Sequence, residues 1–533
     1  METSIGRGDR GANNRLLSHA ARTVTTMSSD RTAAPVSVPL ATGSSSLAKI
    51  LARNMIFNFS AGLGVKVLSF AFSIYAVRQL GDSAYGRYAT ALALVGLLSM
   101  LAELGVTQYG IREIAKDKSR TTGLLSAMMV VRLFLSLFAI AICGLAALLL
   151  GYDSELVWAV LLASSVFVVY AIQGPLEVVL SAYERLDFSS TLMAGNHLLF
   201  VAAGFVLLVA GLGYFGLIYA SLLAIVVSTA LTWVVLRRWV VRPTLQLRPS
   251  ECRDVLLCGV PFALSGMGIL ISNRVGTVLL SLWRSPEEVG WYAVAFNLVT
   301  ALLLLWAGFG GALIPSLSRE SVTNRAVIGR VFEKAAMAIL GLYLPIALGM
   351  TIVADPLVRL LYTDEFAASV VALQILVWIL PVRTLAFFCG AVAWVIGKER
   401  SMARIYLVSA FVETALNAAL IQHLGINATA LAAVSASMLS LAQFLILLRR
   451  DVVVMPASAR LLGIIVASAT MGGIALGLTE FFRPHLVIVV VVSAASYAGM
   501  LFMLRVITVV GARQATSLVF SSIRRFQAPS APR

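Results

Sequence analysis

The sequence predicts an all-α polytopic membrane protein of about fourteen transmembrane helices, arranged as two parallel-repeat six-helix lobes with two further helices at the C-terminus. Three observations carry that prediction. Hydrophobic residues make up 59% of the chain and charged residues only 12%, against roughly 25% charged in an ordinary soluble domain. Apolar runs of membrane length recur from residue 55 to residue 510. Lysine and arginine are concentrated in alternate loops. A chain of 533 residues with this composition cannot hide its apolar surface in one aqueous core, so lipid must be its solvent.

Crossing roughly 30 Å of hydrocarbon takes about 20 apolar residues. Such runs predict spans at 55–77, 88–109, 123–150, 156–181, 190–211, 214–236, 255–281, 291–316, 327–353, 367–396, 404–423, 427–448, 460–480 and 485–510. The first two are parted by the turn Gly81-Asp82-Ser83, and the fifth and sixth only by Gly211 to Tyr214, a tight interfacial turn. The longest connection is Arg237 to Asp254, with five arginines. Residues 1–48, rich in Ser, Thr, Arg, Gly and Ala, predict a disordered tail. No apolar signal-peptide core precedes Pro39.

Charge bias sets the orientation. With the N-terminus in the cytoplasm, the outside loops hold only Arg78, Arg87, Arg284, Arg359 and Arg483, and the inside segments hold most of the rest. Both termini are then cytoplasmic. The domain plan reads as tail 1–48, first lobe 49–236, linker 237–254, second lobe 255–450, extra helices 451–510 and tail 511–533. The net charge of +16 is scattered in short clusters between apolar runs, which argues against a nucleic-acid partner. Cys143, Cys252, Cys258 and Cys389 lack metal-ligand spacing, and His19, His197, His423 and His485 are far apart, so neither metal nor cofactor is expected. Short loops and the lack of a G-x-x-x-x-G-K-[ST] pattern leave no place for a nucleotide-driven motor, and none for a sizeable catalytic domain.

The chain carries an internal repeat. Gly86-Arg87-Tyr88-Ala89 opens the second span and Gly290-Trp291-Tyr292-Ala293 opens the eighth. Pro175 within span four answers Pro381 within span ten, Arg112-Glu113 answers Arg319-Glu320, and Glu184-Arg185 answers Glu399-Arg400. Six helices per half give both halves the same topology, which predicts a parallel repeat around a central cavity, with alternating access by rocking of the lobes. Pro175 and Pro381 are candidate hinges, since each frees backbone groups inside a span.

Several of these segments resemble the polysaccharide-transporter (oligosaccharide flippase) branch of the multidrug/oligosaccharidyl-lipid/polysaccharide exporter superfamily. Leu80-Gly81-Asp82-Ser83-Ala84-Tyr85-Gly86-Arg87-Tyr88-Ala89 is similar to that branch's LG-x-x-x-YG-x-YA turn. Glu103-Leu104-Gly105 followed by Arg112-Glu113-Ile114-Ala115, Val289-Gly290-Trp291-Tyr292-Ala293, and Pro315 resemble its further motifs, in order, over residues 50–450. The chain departs at Asn273-Arg274, where many relatives carry an aspartate. The resemblance implies a flippase, not an enzyme, that turns a polyprenyl-diphosphate-linked oligosaccharide to the outer leaflet for surface or exopolysaccharide synthesis. Its implied partners are that lipid-linked substrate, the bilayer, and a polysaccharide polymerase and chain-length complex.

Charges within the spans point the same way, because each costs roughly 2.5–3.5 kcal/mol at the bilayer centre. Arg274, Arg383, Lys66 and Arg132 are candidate binders of the diphosphate, since guanidinium forks fit phosphate oxygens. Glu103 and Glu413 are candidates for ion coupling or for charge pairing, as Lys66 with Glu103 or Arg383 with Glu413. Glu177 lies a turn from the cytoplasmic edge and Arg505 near the end of the last span. Asn58, Gln173, Asn196, Asn273, Asn297, Gln374 and Asn417 could bond a sugar, beside Trp283, Trp306, Trp378 and Trp394. Two other readings stand beside this one. An ion-coupled drug or cation antiporter of the same fold predicts that carboxylates dominate the cavity. A membrane polymerase or glycosyltransferase predicts a large outer catalytic loop, whereas the richest outside loop is only Asp355 to Glu365.

Overall fold

The computed structural model describes residues 44–241, 246, 248–320, 325–449, 458–482 and 485–504. The chain divides into two units, Met1–Asn54 and Met55–Arg533, and the membrane fold belongs to the second. Every regular element among the described residues is helical. In order these are α1 (Ser44–Glu103), α2 (Val106–Lys116), α3 (Thr121–Leu149), α4 (Ser154–Ser164), α5 (Val166–Ala182), α6 (Leu186–Val209), α7 (Gly213–Trp239) and α8 (Pro249–Trp283). There follow α9 (Pro286–Glu320), α10 (Arg325–Leu361), α11 (Ser369–Leu376), α12 (Ile379–Val395), α13 (Glu399–Leu424), α14 (Ile426–Leu448), α15 (Ser458–Gly477) and α16 (Leu486–Met503).

Twelve helical segments among the described residues are long and apolar enough to cross a membrane. The longest, Gly64–Lys116 at 53 residues, contains the predicted span 88–109 and residues 64–77 of the span before it. It is interrupted at Gly81, whose φ of 75° and ψ of 178° are a backbone shape open to glycine and costly for other residues. The predicted span 291–316 falls in α9, whose side chains are described as far as Leu303. Of the expected N-terminal tail, residues 44–48 are the first of α1, and residues 1–43 lie outside the described residues, as do 511–533 and Arg505. Helix α7 runs to Trp239 and α8 starts at Pro249, in the first turn where a missing N–H costs no hydrogen bond.

Two of the predicted spans are broken within the apolar stretch. Span four divides into α4 and α5 at Ser165, and span ten into α11 and α12 at Val377–Trp378. Pro381 accounts for the second break, since proline cannot donate to the carbonyl four residues back, here Val377. Pro175 lies ten residues past the first break, inside α5, and does not cause it. Hydroxyl side chains act at that break instead, for Ser164 Oγ donates to Leu161 O and Ser165 Oγ to Leu162 O.

The apolar interior falls into separate clusters. One centres on Tyr343, Phe366, Phe388 and Phe444 of α10 to α14. Others centre on Ala139, Val160 and Ile218, and on Leu124, Met128 and Leu176. Large apolar side chains such as Phe134, Trp158 and Val209 are exposed, the pattern of lipid-facing helices. Helix α8 packs by backbone contact at two points in its middle. A Cβ on Gly259 would stand 2.6 Å from Leu104 O, and one on Gly268 would stand 2.6 Å from Tyr406 O. Small residues allow this approach where lipid provides no hydrophobic drive between helices. The last two helices lie against α10, where Tyr497 donates to Gly341 O at 2.6 Å.

Candidate functional site

A cavity of about 250 Å³ opens between α1, α6, α7, α8 and α9. Its walls are largely aromatic, with Phe72, Tyr85, Tyr88, Phe200 and Phe296, and its polar groups include Ser69, Ser73, Asn273, Thr277 and Asn297. One charged side chain, Arg274, stands among the described residues that line it. Helix α8 carries Asn273, Arg274 and Thr277 into the cavity, and the break at Gly81 brings both crossings of α1 to its wall.

Arg274 lies against Gly96, where an added Cβ would be 2.8 Å from its Nε. The bare backbone at Gly96 therefore makes the room that the guanidinium stem occupies. Asn297 Nδ2 donates to the Tyr85 hydroxyl at 2.5 Å, so one amide and one phenol are held in place at the wall. Asn273 faces two ways. It lines the cavity, and its Oδ1 accepts from Arg383 Nη2 at 2.6 Å.

Arg383 is therefore one layer behind the cavity. It is buried with Glu413 in a small second pocket that Ser272, Tyr406 and Ser409 also line. Its guanidinium sits 5.6 Å from the Phe387 ring centre, and Ser272 hydrogen-bonds Glu413. A guanidinium and a carboxyl group removed from water in this way need such partners to be tolerated. Arg132 belongs to a third place. It is buried on α3, donates to Thr107 Oγ1 at 3.4 Å, and faces the charges of Glu103 and Glu177. Gly174 gives it space, since a Cβ there would lie 1.9 Å from Nη1. Gln173 donates to Glu177 Oε1 at 2.8 Å, extending this cluster. Lys66 is half-buried on α1, one turn before Ser69, and is not among the residues lining the cavity.

The predicted charges thus separate into three groups: Arg274 at the cavity, Arg383 with Glu413 behind it, and Arg132 with Glu103. Of the predicted sugar-bonding residues, Asn273 and Asn297 reach the cavity. Gln173 and Asn417 are buried elsewhere. The side chains of Asn58 and Trp306 lie outside the described residues. Sequence reasoning missed the aromatic wall. Tyr85 and Tyr88 were present in the turn motif, but nothing in their spacing distinguished a cavity wall from core.

Beside the cavity, at the arginine-poor face, residues far apart in sequence meet and close α1 against α9. Gly86 and Gly290, the first residues of the repeated tetrad, pack against each other's segments. A Cβ on Gly86 would be 1.7 Å from Pro286 O, and one on Gly290 would be 2.3 Å from Asp82 O. Trp291 Nε1 donates to Asp82 Oδ2 at 3.1 Å, and Arg78 donates to the carbonyls of Leu360 and Leu361, at the end of α10.

Residues 51–321 match the family described as "Polysaccharide biosynthesis protein", and residues 261–419 match the family described as MatE. The chain is 22% identical over 383 residues to the probable low-salt glycan biosynthesis flippase Agl15 of Haloferax volcanii, covering 72% of this chain and 80% of that protein. In fold it is similar to the lipid II flippase MurJ in an inward closed conformation, with a TM-score of 0.71 and 12% identity over 88% of this chain and 99% of that one. It is also similar to an inward-facing multidrug resistance MATE family transporter, with a TM-score of 0.59 and 15% identity over 73% and 97% of the two chains. With just over half of its 533 residues matched, the chain belongs to the polysaccharide biosynthesis protein family, within the multidrug/oligosaccharidyl-lipid/polysaccharide exporter superfamily.

Proposed function

We propose that the protein is a flippase for a polyprenyl-diphosphate-linked oligosaccharide, and not an enzyme. It works by alternating access between two six-helix lobes, 49–236 and 255–450, in the inner membrane with both termini in the cytoplasm. The observation that carries the reading is the charge of the cavity. Its described lining holds a guanidinium and no carboxylate. A diphosphate offers paired acceptor oxygens to such a fork. Tyr85, Tyr88, Phe296, Asn273 and Asn297 offer the ring faces and amide groups that suit a sugar. A lipophilic cation, the cargo of a drug antiporter, would meet repulsion here. The arrangement of relatives supports the same view, since Agl15 and MurJ are both described as flippases.

In this reading Arg274 is the primary contact for the diphosphate. Arg383 and Arg132 act on the cavity only through neighbours, Arg383 through Asn273 and Arg132 within the Glu103 and Glu177 cluster. Glu413, sharing its pocket with Arg383, is the candidate for coupling to an ion gradient. Pro381, beside the break in span ten, is the better hinge candidate, and Pro175 the weaker. An inside-negative potential also favours outward movement of the anionic headgroup, by about 2.3 kcal/mol per charge per 100 mV. A polymerase and chain-length complex would then take the delivered substrate.

Arg274→Ala is expected to lower transport of lipid-linked oligosaccharide into proteoliposomes by tenfold or more, taking a charged hydrogen bond as about 1.5–3 kcal/mol. Arg274→Lys should recover part of it, as a point charge without the fork. Undiminished transport by Arg274→Ala that inserts normally overturns the assignment.

A further inference from the structure

A third pocket, polar and of about 180 Å³, lies at the closed, arginine-poor face beside the Gly86–Gly290 contact. It is lined by Arg87, Thr90, Tyr152, Asp153, Ser281 and Arg284, together with backbone near Pro286. It is separate from the central cavity, with which it shares no lining residue.

Both of its guanidiniums are paired with carboxylates. Arg87 Nη1 donates to Asp153 Oδ2 at 2.6 Å, and a Glu155 oxygen lies 3.6 Å from the same nitrogen. Arg284 bonds the carbonyls of Ile421 and Gln422 and pairs with Glu288 at 3.7 Å. Tyr152 and Ser281 share a hydrogen bond of 2.7 Å. Partial burial raises the Asp153 carboxyl, but the Arg87 bond and the Leu156 N–H outweigh it and hold the group below the ordinary carboxylate range. Asp153 is therefore an ionised acceptor beside a cationic donor, with neutral hydroxyls around them. Such interleaved donors and acceptors do not suit a phosphate, which wants net positive charge and donors alone. They suit a polyol, whose hydroxyls both donate and accept. The Tyr152 ring adds an apolar surface for a sugar face.

We propose that this pocket binds one neutral sugar unit from the arginine-poor side. The source of that sugar, glycan delivered by the central cavity, rests on the flippase reading; the pocket's chemistry does not. Arg87 and Thr90 lie on one side of the Gly86–Gly290 contact, and Ser281 and Arg284 on the other. A sugar bridging them is held only while that contact stays closed. Bound glycan therefore favours the closed state, and accumulated product restrains further export.

The test uses the full chain in lipid nanodiscs and ligand-observed NMR with the methyl glycosides of glucose, galactose and mannose. At least one should show saturation transfer from the protein. Asp153→Asn, which keeps a helix-capping oxygen but removes the charge, should weaken it about tenfold. In a second measurement, Ser281→Cys is introduced with Cys143, Cys252, Cys258 and Cys389 replaced. A glycoside tenfold above its Kd should slow labelling of that cysteine by a hydrophilic maleimide about tenfold. Arg274→Ala should leave both signals intact. The site is overturned if no glycoside binds, if Asp153→Asn binds as well as the unaltered chain, if a bound glycoside leaves labelling at Ser281→Cys unchanged, if inorganic phosphate competes, or if Arg274→Ala abolishes the signal. Transport plays no part in either measurement, so loss of transport in Arg274→Ala and loss of sugar binding are separate results.

Discussion

The position of Arg274 is set by a residue with no side chain. Gly96 lies on the second crossing of α1, and any Cβ there enters the space of Arg274 Nε and Cδ, at 2.8 and 3.2 Å. Gly96→Ala should fold normally, because the guanidinium stem can move. Pushing it off its rotamer costs about 0.5–1.5 kcal/mol, so transport should fall by roughly twofold to tenfold. Gly96→Val should be worse. Normal transport by both variants would remove Gly96 as a positioning residue. Arg274 was legible in the sequence, because a charge in an apolar run is conspicuous. Gly96 was not, because a glycine's role depends on what approaches it from another helix. Arg383 shows the same limit from the other side. Its depth in span ten could be counted, but the Asn273 oxygen that holds it one layer back belongs to α8.

Among the elements, the crossing of α1 with α9 at Gly86 and Gly290 has least room for change. The atoms a Cβ would meet there are backbone, which cannot swing aside as a side chain can. Gly86→Ala or Gly290→Ala should therefore part the two helices, at a cost typical of overpacking, about 1–3 kcal/mol. The parted form is a state that a transporter visits, so the fold should survive. A cysteine placed at Asn297, in the cavity wall below the crossing, should then react faster with an aqueous thiol reagent added from the arginine-poor face. Unchanged reactivity in both variants would mean that the crossing does not control access. The repeated tetrad was visible in the sequence, as was the turn at Gly81. That its two glycines touch was not visible, since a repeat gives equivalence and not proximity. The break at Ser165 was also hidden, because the carbonyls its neighbouring hydroxyls take come from an otherwise continuous apolar run.

At the scale of the whole molecule, alternating access requires the closed face to separate in each cycle. Ser83 and Glu287 hydrogen-bond across it. A short reducible crosslinker between Ser83→Cys and Glu287→Cys, in a chain without its native cysteines, should stop transport, and reduction should restore it. Full transport while the link is intact would refute the rocking mechanism. The all-α membrane fold was readable from composition and run length alone, since lipid leaves few other solutions. The clamp at the closed face was not, because it joins distant parts of the chain. Arg78 bonds the Leu361 carbonyl 283 residues further on. At a synthesis rate of about 5–20 residues per second, that partner reaches the bilayer roughly 15–60 seconds after the arginine does. Until then the guanidinium must stay in the headgroup layer, and the end of α10 emerges last of the pair. The seal on this face is therefore completed only after α10 is made, and in a nascent chain halted before it the Arg78 guanidinium has neither of its carbonyl acceptors.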